Sequence, residues 1–155
     1  MPTEHPTEPL TATDQADFFR DAEFSARFPQ VTLPPPSFVA AGGRVLAFAK
    51  NRRIVLAFLV RAEQTNPLGT LQGGILASFI DDAFGSLCFA SLRKPCVSID
   101  LNINFIRPLK PGEVVTINAE FKSKNRKLLQ VYAEARNTKE KLVATATSNL
   151  LVVEP

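Results

Sequence analysis

The alternation of apolar and polar positions divides the chain into a few readable segments. Arg44 to Lys50 and Arg53 to Arg61 are rich in Val, Leu, Ile and Phe, with a short turn at Lys50-Asn51-Arg52 between them. Two such runs separated by so short a turn predict a β-hairpin. A longer segment, Leu71 to Ser91, carries apolar side chains at helical spacing on nearly every side: Leu71, Ile75, Leu76, Phe79, Ile80, Phe84, Leu87, Cys88 and Phe89. A helix apolar all round is expected to be buried. Four more β-like runs follow at Val97 to Ile106, Val114 to Lys122, Leu128 to Arg136 and Leu142 to Val153. The gaps between them are short and turn-like, which predicts antiparallel neighbours. In the first of these runs Ser98, Asp100, Asn102 and Asn104 alternate with Val97, Ile99, Leu101, Ile103 and Phe105. Period two predicts one polar face and one face packed on the helix.

Upstream, residues 13–28 predict a short helix with Thr13 as N-cap and Phe18, Phe19 and Phe24 on its apolar face. Pro29 and Pro34-Pro35-Pro36 end it as a stiff linker. The expected organisation is therefore a tail, short helix and proline-rich linker over 1–36, and a main domain over 37–155. One buried helix between a strand pair and a strand quartet predicts an α+β architecture, a curved antiparallel β-sheet wrapped around one long central helix.

Composition changes this picture little. At 155 residues and 17.0 kDa, with 45% hydrophobic and 21% charged residues, the chain is one domain's worth of globular sequence. Charge is more informative. Residues 1–30 carry six acids and two arginines, a net of −4, and residues 31–155 carry 16 basic and nine acidic residues, a net of +7. A basic body suggests an anionic partner. The candidates are nucleic acid, a membrane surface and a phosphorylated small molecule, and because the basic residues are scattered over loops and strands nucleic acid is disfavoured. No membrane span is expected, since the longest uninterrupted apolar run is Ile54 to Val60. The acidic, proline-rich start lacks the apolar core of a signal peptide. With Cys88 and Cys96 read as structural thiols, a cytoplasmic location is expected. There is no Cys/His cluster to hold a metal, and no metal or redox cofactor is expected.

The candidate chemistry sits on the helix and just before it. Asp81 and Asp82 are carboxylates in an apolar helix, which is costly unless they are paired or functional. They point about 100° apart, so they form no dyad. One could face a cavity while the other meets a loop or a basic side chain, and satisfaction by backbone amides is an equal alternative for Asp81. Gly74, Ala77, Ser78, Asp81 and Gly85 form a small-residue stripe with room for a ligand or a second backbone. Gly73-Gly74 opens the helix, where free N–H groups and the helix dipole favour a developing oxyanion.

The stretch NPLGTLQGGILASFIDDAFG resembles the signature of hotdog-fold acyl-CoA thioesterases of the phenylacetate-degradation type. That signature has an Asn, a Gly, His-Gly-Gly, and an acid seven positions after the second Gly, matched here by Asn66, Gly73-Gly74 and Asp81. CVSIDLNINFIRPLKPGE is similar to the family's next strand and turn, and a basic turn at Lys124 to Lys127 followed by KLVATATSNLLVV is similar to its close. The resemblance covers roughly residues 43–153 and implies a hotdog fold. It implies Asp81 as general base or nucleophile, the Gly73 N–H as polariser of the thioester carbonyl, and Asn66 as a positioning group. It places Ser98 at the same site from the partner subunit's strand. It implies an acyl-CoA substrate and a homodimer or dimer of dimers with interfacial active sites. Gly74 and Gln72 are expected to contact substrate, and so are Lys124, Arg126 and Lys127 if they grip the coenzyme A phosphates rather than serve as the ordinary solvated charges of a turn.

One departure stands out. Gln72 occupies the position of the family's His, and the sole histidine is His5. Gln can hydrogen-bond but cannot titrate. This keeps a non-catalytic acyl-CoA-binding protein as the alternative to the thioesterase. It argues against an acyl thioester hydratase or dehydratase, which would need that imidazole.

Overall fold

The computed structural model describes residue 15 and residues 17–154. Thr13, the expected N-cap, lies outside them. The single helix expected over 13–28 is interrupted: residues 17 and 18 are helical, a turn follows, and α1 spans Ala22–Arg27. Asp21 causes the restart, since its Oδ1 accepts the Phe24 N–H at 2.8 Å. The proline run is not purely a linker. Pro36 begins α2 (Pro36–Ala40), at a position where the missing N–H costs nothing.

The main body follows the predicted order. β1 (Arg44–Ala49) and β2 (Arg53–Leu59) form the hairpin. A 3-10 turn, Ala62–Gln64, leads to α3 (Gly73–Leu92). Then come β3 (Cys96–Ser98), β4 (Asn102–Phe105), β5 (Val114–Lys124), β6 (Leu128–Arg136) and β7 (Leu142–Val152). All pairings are antiparallel in the order β1-β2-β5-β6-β7, and β7 carries both β3 and β4 along its far edge.

The inner face of the sheet supplies the core. Buried cross-strand pairs such as Leu56 with Ile117, Phe58 with Val115 and Leu129 with Leu150 face α3. A row of three buried alanines, Ala119, Ala133 and Ala146, crosses β5, β6 and β7. Small side chains there let a curved sheet close around the helix. Leu76, Phe79, Ile80, Ala83, Phe84 and Leu87 fill the space from the helix side. Phe58 stacks on Phe79 at 4.3 Å. The N-terminal aromatics extend the same core, with Phe24 edge-on to Phe89 at 4.9 Å and Phe38 edge-on to Phe58 at 5.9 Å. Gly43 passes between Phe38 and Phe58, where no Cβ fits.

Two expectations need correction. The helix is not buried on every side: Gly74, Ser78, Asp81 and Gly85 form a stripe along it that is open to solvent. The strand expected over Val97 to Ile106 is broken at Asp100. Ser98 pairs with Leu150 and Asn102 with Thr147, so four steps along this edge oppose three on β7. Asp100 holds the extra residue. Its carboxylate accepts the Asn149 backbone N–H at 2.9 Å and side-chain amide at 2.7 Å, and its carbonyl accepts the Ser148 hydroxyl at 2.6 Å. The two bonds from Asn149 pull its carboxyl below the usual carboxylate range. The bulge reverses the side-chain alternation. Ser98 therefore faces the helix, Val97 and Ile99 face outward and exposed, and Leu101 and Ile103 return to the core.

Candidate active site

The predicted site residues fall into two clusters on α3 and a third group at its far end. The first cluster surrounds the start of the helix. Asn66 organises the loop before it: its Oδ1 accepts the N–H of Leu68 at 2.9 Å and of Thr70 at 3.2 Å, and its Nδ2 donates to Thr70 Oγ1 at 2.9 Å. The second Nδ2 hydrogen remains for a carbonyl. Gly69 closes this loop with φ +74°, a conformation that suits glycine. Gly73 and Gly74 are the first two helical residues, so their N–H groups have no intrahelical acceptor. Thr70 and Arg107 border the same cavity of about 330 Å³ with Asn66 and Gly73; the sequence leaves Arg107, in the Ile106-Arg107-Pro108 turn, open to either a solvated or a phosphate-contacting reading and does not point to Thr70. Thr70 is legible only through its bond to Asn66.

Gln72 is the N-cap of α3. Its Oε1 accepts the Ile75 N–H at 3.0 Å and lies against Gly74, where a Cβ would approach it to 2.9 Å. Its backbone N–H donates to Gln64 O at 2.9 Å. The side chain thus shapes the helix start, work that needs an acceptor and no proton transfer.

The second cluster is Asp81 with Ser98. The Ser98 hydroxyl donates to Asp81 Oδ1 at 2.7 Å, and both residues are exposed. This pair forms within one chain, so the structure groups Ser98 with its own Asp81 rather than with a partner's. Asp82 faces the other way. Its Oδ1 accepts the Ser37 hydroxyl of α2 at 2.6 Å, while its Oδ2 is buried without a partner. Burial, opposed by the Ser37 bond and helped by nearby Asp81, pushes the Asp82 carboxyl above its ordinary range. Two adjacent carboxylates thus have different tasks: one is open to solvent beside a hydroxyl, the other ties the N-terminal segment to the core.

Gly73 and Asp81 are eight residues apart, about 12 Å along the helix and about 80° around it. A single chain therefore holds two separate groups, amide and N–H donors at Asn66–Gly73 and a carboxylate with a hydroxyl at Asp81–Ser98.

Lys124, Arg126 and Lys127 lie elsewhere in the chain. Lys124 Nζ donates to Asn51 Oδ1 at 2.8 Å, Asn51 N–H donates to Ser91 near the end of α3, and Arg126 and Lys94 both approach Glu154. This basic group marks the end of α3 opposite Gly73. The thiols of Cys88 and Cys96 are not isolated from one another: a hydrogen bond between them holds Cys88, already buried, far up and draws Cys96 down. Among the described residues no cluster of metal-ligating side chains occurs. By length and composition α3 could cross a membrane, but most of it is buried in this fold, as in a soluble protein's core helix.

A curled antiparallel sheet around one central helix, with a carboxylate on that helix and free N–H groups at its start, defines a hotdog fold of the thioester-hydrolase kind. Residues 68–144 match the model of the thioesterase superfamily. The chain is 32% identical over 101 residues to mouse acyl-coenzyme A thioesterase 13, covering 64% of this chain and 72% of that protein. The human counterpart is 34% identical over 79 residues, which span 50% of this chain and 56% of that protein. Among solved structures, the TT0310 protein of Thermus thermophilus superposes with TM-score 0.72 at 30% identity, over 78% of this chain and all of that one. The PaaI protein of the E. coli phenylacetic acid degradation operon shares the fold, with TM-score 0.74 at 20% identity over 85% and 92% of the two chains. The chain belongs to the thioesterase superfamily and is a thioester hydrolase.

Proposed function

We propose that the protein hydrolyses acyl-CoA thioesters at sites completed by a second copy of the chain. The observation that carries this reading is the split between the half-sites, with Asn66 and Gly73 at the helix start and the Ser98–Asp81 pair about 12 Å further on. If two copies set their α3 helices antiparallel, Gly73 of each faces Asp81 of the other. The open Gly74–Ser78–Asp81–Gly85 stripe gives the close approach, and the free edge of β4 can be extended by its equivalent in the second copy. The same arrangement fits a dimer of dimers in which such pairs associate.

The chemistry then follows from the residues. The thioester carbonyl oxygen accepts from the Gly73 N–H and the spare Asn66 Nδ2 hydrogen. Negative charge developing on that oxygen is favoured by the positive end of a 20-residue helix. Asp81, oriented by the Ser98 hydroxyl, takes a proton from water as the water attacks the carbonyl carbon. The tetrahedral intermediate collapses, and the thiol of coenzyme A leaves with a proton. Direct attack by Asp81 to form an anhydride is the competing step. Oxygen-18 incorporation from labelled water into the protein carboxylate after a single turnover distinguishes the two.

The antiparallel pairing also gives the basic turn a role. The C-terminal end of the partner helix lies about 16 Å beyond Gly73. Its Lys124, Arg126 and Lys127 then face the phosphates of coenzyme A, with Arg107 of the first chain nearer the thioester. Gln72 needs no imidazole's function here, because it caps the helix.

The experiment is thiol release from short, medium, long and aromatic acyl-CoAs by native protein and by Asp81→Asn. Turnover that collapses in the variant while the oligomer persists supports the reading. Tight acyl-CoA binding without turnover by native protein would replace it with the non-catalytic binding protein.

A further inference from the structure

Phe105 stands where the donor half-site meets two open spaces. It is a large aromatic on an edge strand, 59% exposed, yet one side of its ring rests on Gly73. A Cβ at Gly73 would lie 3.2 Å from the ring's Cζ. On one side is the cavity of about 330 Å³ that also borders Asn66, Thr70 and Arg107. On the other is a groove of about 400 Å³ walled by Gly74, Ala77, Leu101 and Ile103, which the second copy's α3 would roof over in the proposed pairing. Gly73 and Phe105 border both.

The two spaces differ chemically. The first has an amide, a hydroxyl and a guanidinium on its rim beside Leu71, Leu76, Ile106, Pro108 and Leu109, and suits the amphipathic pantetheine arm of coenzyme A. The second has only apolar side chains and glycine backbone and suits a hydrocarbon. A carbonyl held at the Gly73 N–H sits at their boundary, under the Phe105 ring. We propose that Phe105 is the specificity-determining residue of this site: its ring is the wall between the coenzyme arm and the acyl group, and it limits the acyl bulk that the Ala77–Leu101–Ile103 groove accepts. This rests on the acyl-CoA thioesterase reading. The size of Gly73 belongs to the same device, because a side chain there would displace the ring.

Two variants test it. Phe105→Ala removes the wall and joins the spaces. A single methylene in an apolar pocket discriminates by roughly ten- to two-hundred-fold. The ratio of kcat/KM for long or aromatic acyl-CoA over acetyl-CoA is therefore expected to rise by at least about tenfold, with the oligomer's mass unchanged. Phe105→Trp places the only tryptophan in the chain at the boundary. Its emission is expected to shift with a non-hydrolysable acyl-CoA thioether and not with coenzyme A alone. The proposal is overturned if Phe105→Ala changes all substrates by one common factor, with or without loss of the oligomer. It is equally overturned if the Phe105→Trp emission responds alike to coenzyme A and to the acyl thioether. If native protein hydrolyses no acyl-CoA, the thioesterase reading fails, and the emission experiment still decides the role of Phe105.

Discussion

Replacing Ser98 by Ala removes one hydrogen bond to Asp81 and little else. The bond is 2.7 Å long and joins a neutral hydroxyl to a carboxylate. Hydrogen bonds to charged groups contribute about 1.5–3 kcal/mol. Both residues are exposed in the chain, where water competes and screens, so the lower end applies. If the bond orients Asp81 toward its water, about 1.5 kcal/mol of barrier corresponds to roughly a tenfold fall in kcat. KM should change little, because neither group holds the coenzyme. Steady-state thiol release gives both constants, and a melting curve supplies the control. Losing the bond costs at most about 1.5 kcal/mol of stability, hence a melting shift of no more than about 6 °C for a chain of this length. Ser98→Thr keeps the hydroxyl and should recover most of the rate. An unchanged kcat in Ser98→Ala would refute the reasoning. So would a loss as deep as that of Asp81→Asn, since Ser98 would then be more than an orienting group.

Three further outcomes follow from the geometry. Burial raises the Asp82 carboxyl in the folded state above its unfolded value, so the stabilisation from its proton is complete below the unfolded pKa and is lost as pH rises through the folded one. Asp82→Asn should therefore melt higher than native at pH 7 and lose that advantage toward pH 3; parallel melting curves across that range would count against it. Thr70→Val leaves the loop's backbone bonds but frees the Asn66 amide, so kcat should fall severalfold in a thiol-release assay with the fold intact, and Thr70→Ser should restore it. Cys96 is drawn down by its bond to Cys88 while Cys88 is held up. Iodoacetamide should thus modify Cys96 first in the native protein, read by peptide mass spectrometry; preferential labelling of Cys88 would contradict this.

Much of the fold was legible because local pattern and tertiary packing agree. β6 occupies the stretch Leu128–Arg136 that its alternation predicts, and the β1–β2 hairpin differs from expectation only at its ends. The helix starts two residues late because Gln72 caps it, a residue type with no strong capping preference. The break in the strand after the helix was not legible. Val97 to Phe105 alternates without interruption, and the break is set by Asp100 binding Asn149, a partner 49 residues away. The helix over 13–28 failed for a local reason, since Asp21 competes for the Phe24 N–H.

The candidate site was only partly legible. The resemblance points to Asn66, Gly73 and Asp81, but which side chains meet within one chain could not be read from the sequence. Arithmetic explains the Asp81–Ser98 contact afterwards. The eleven residues from Asp81 to Leu92 rise about 16 Å as helix, and a strand doubling back recovers that in about five residues. Ser98 lies six beyond Leu92, and the bulge at Asp100 turns the later residues so that Phe105 meets Gly73.

The central claim is that each reaction centre takes its donors from one chain and its carboxylate from another. Gly73→Pro removes the N–H at the first helical position, where the helix backbone tolerates proline, and its ring also presses on Phe105, so the whole donor side is disabled; Asp81→Asn removes the carboxylate. Each variant alone should be nearly inactive. Co-expressed with different tags in equal amounts, they form mixed dimers in which one site carries both changes and the other carries neither. The account predicts that the mixture regains about a quarter of native turnover, all of it in the doubly tagged fraction. Mixed dimers no more active than their parents would place donor and carboxylate on the same chain and contradict it.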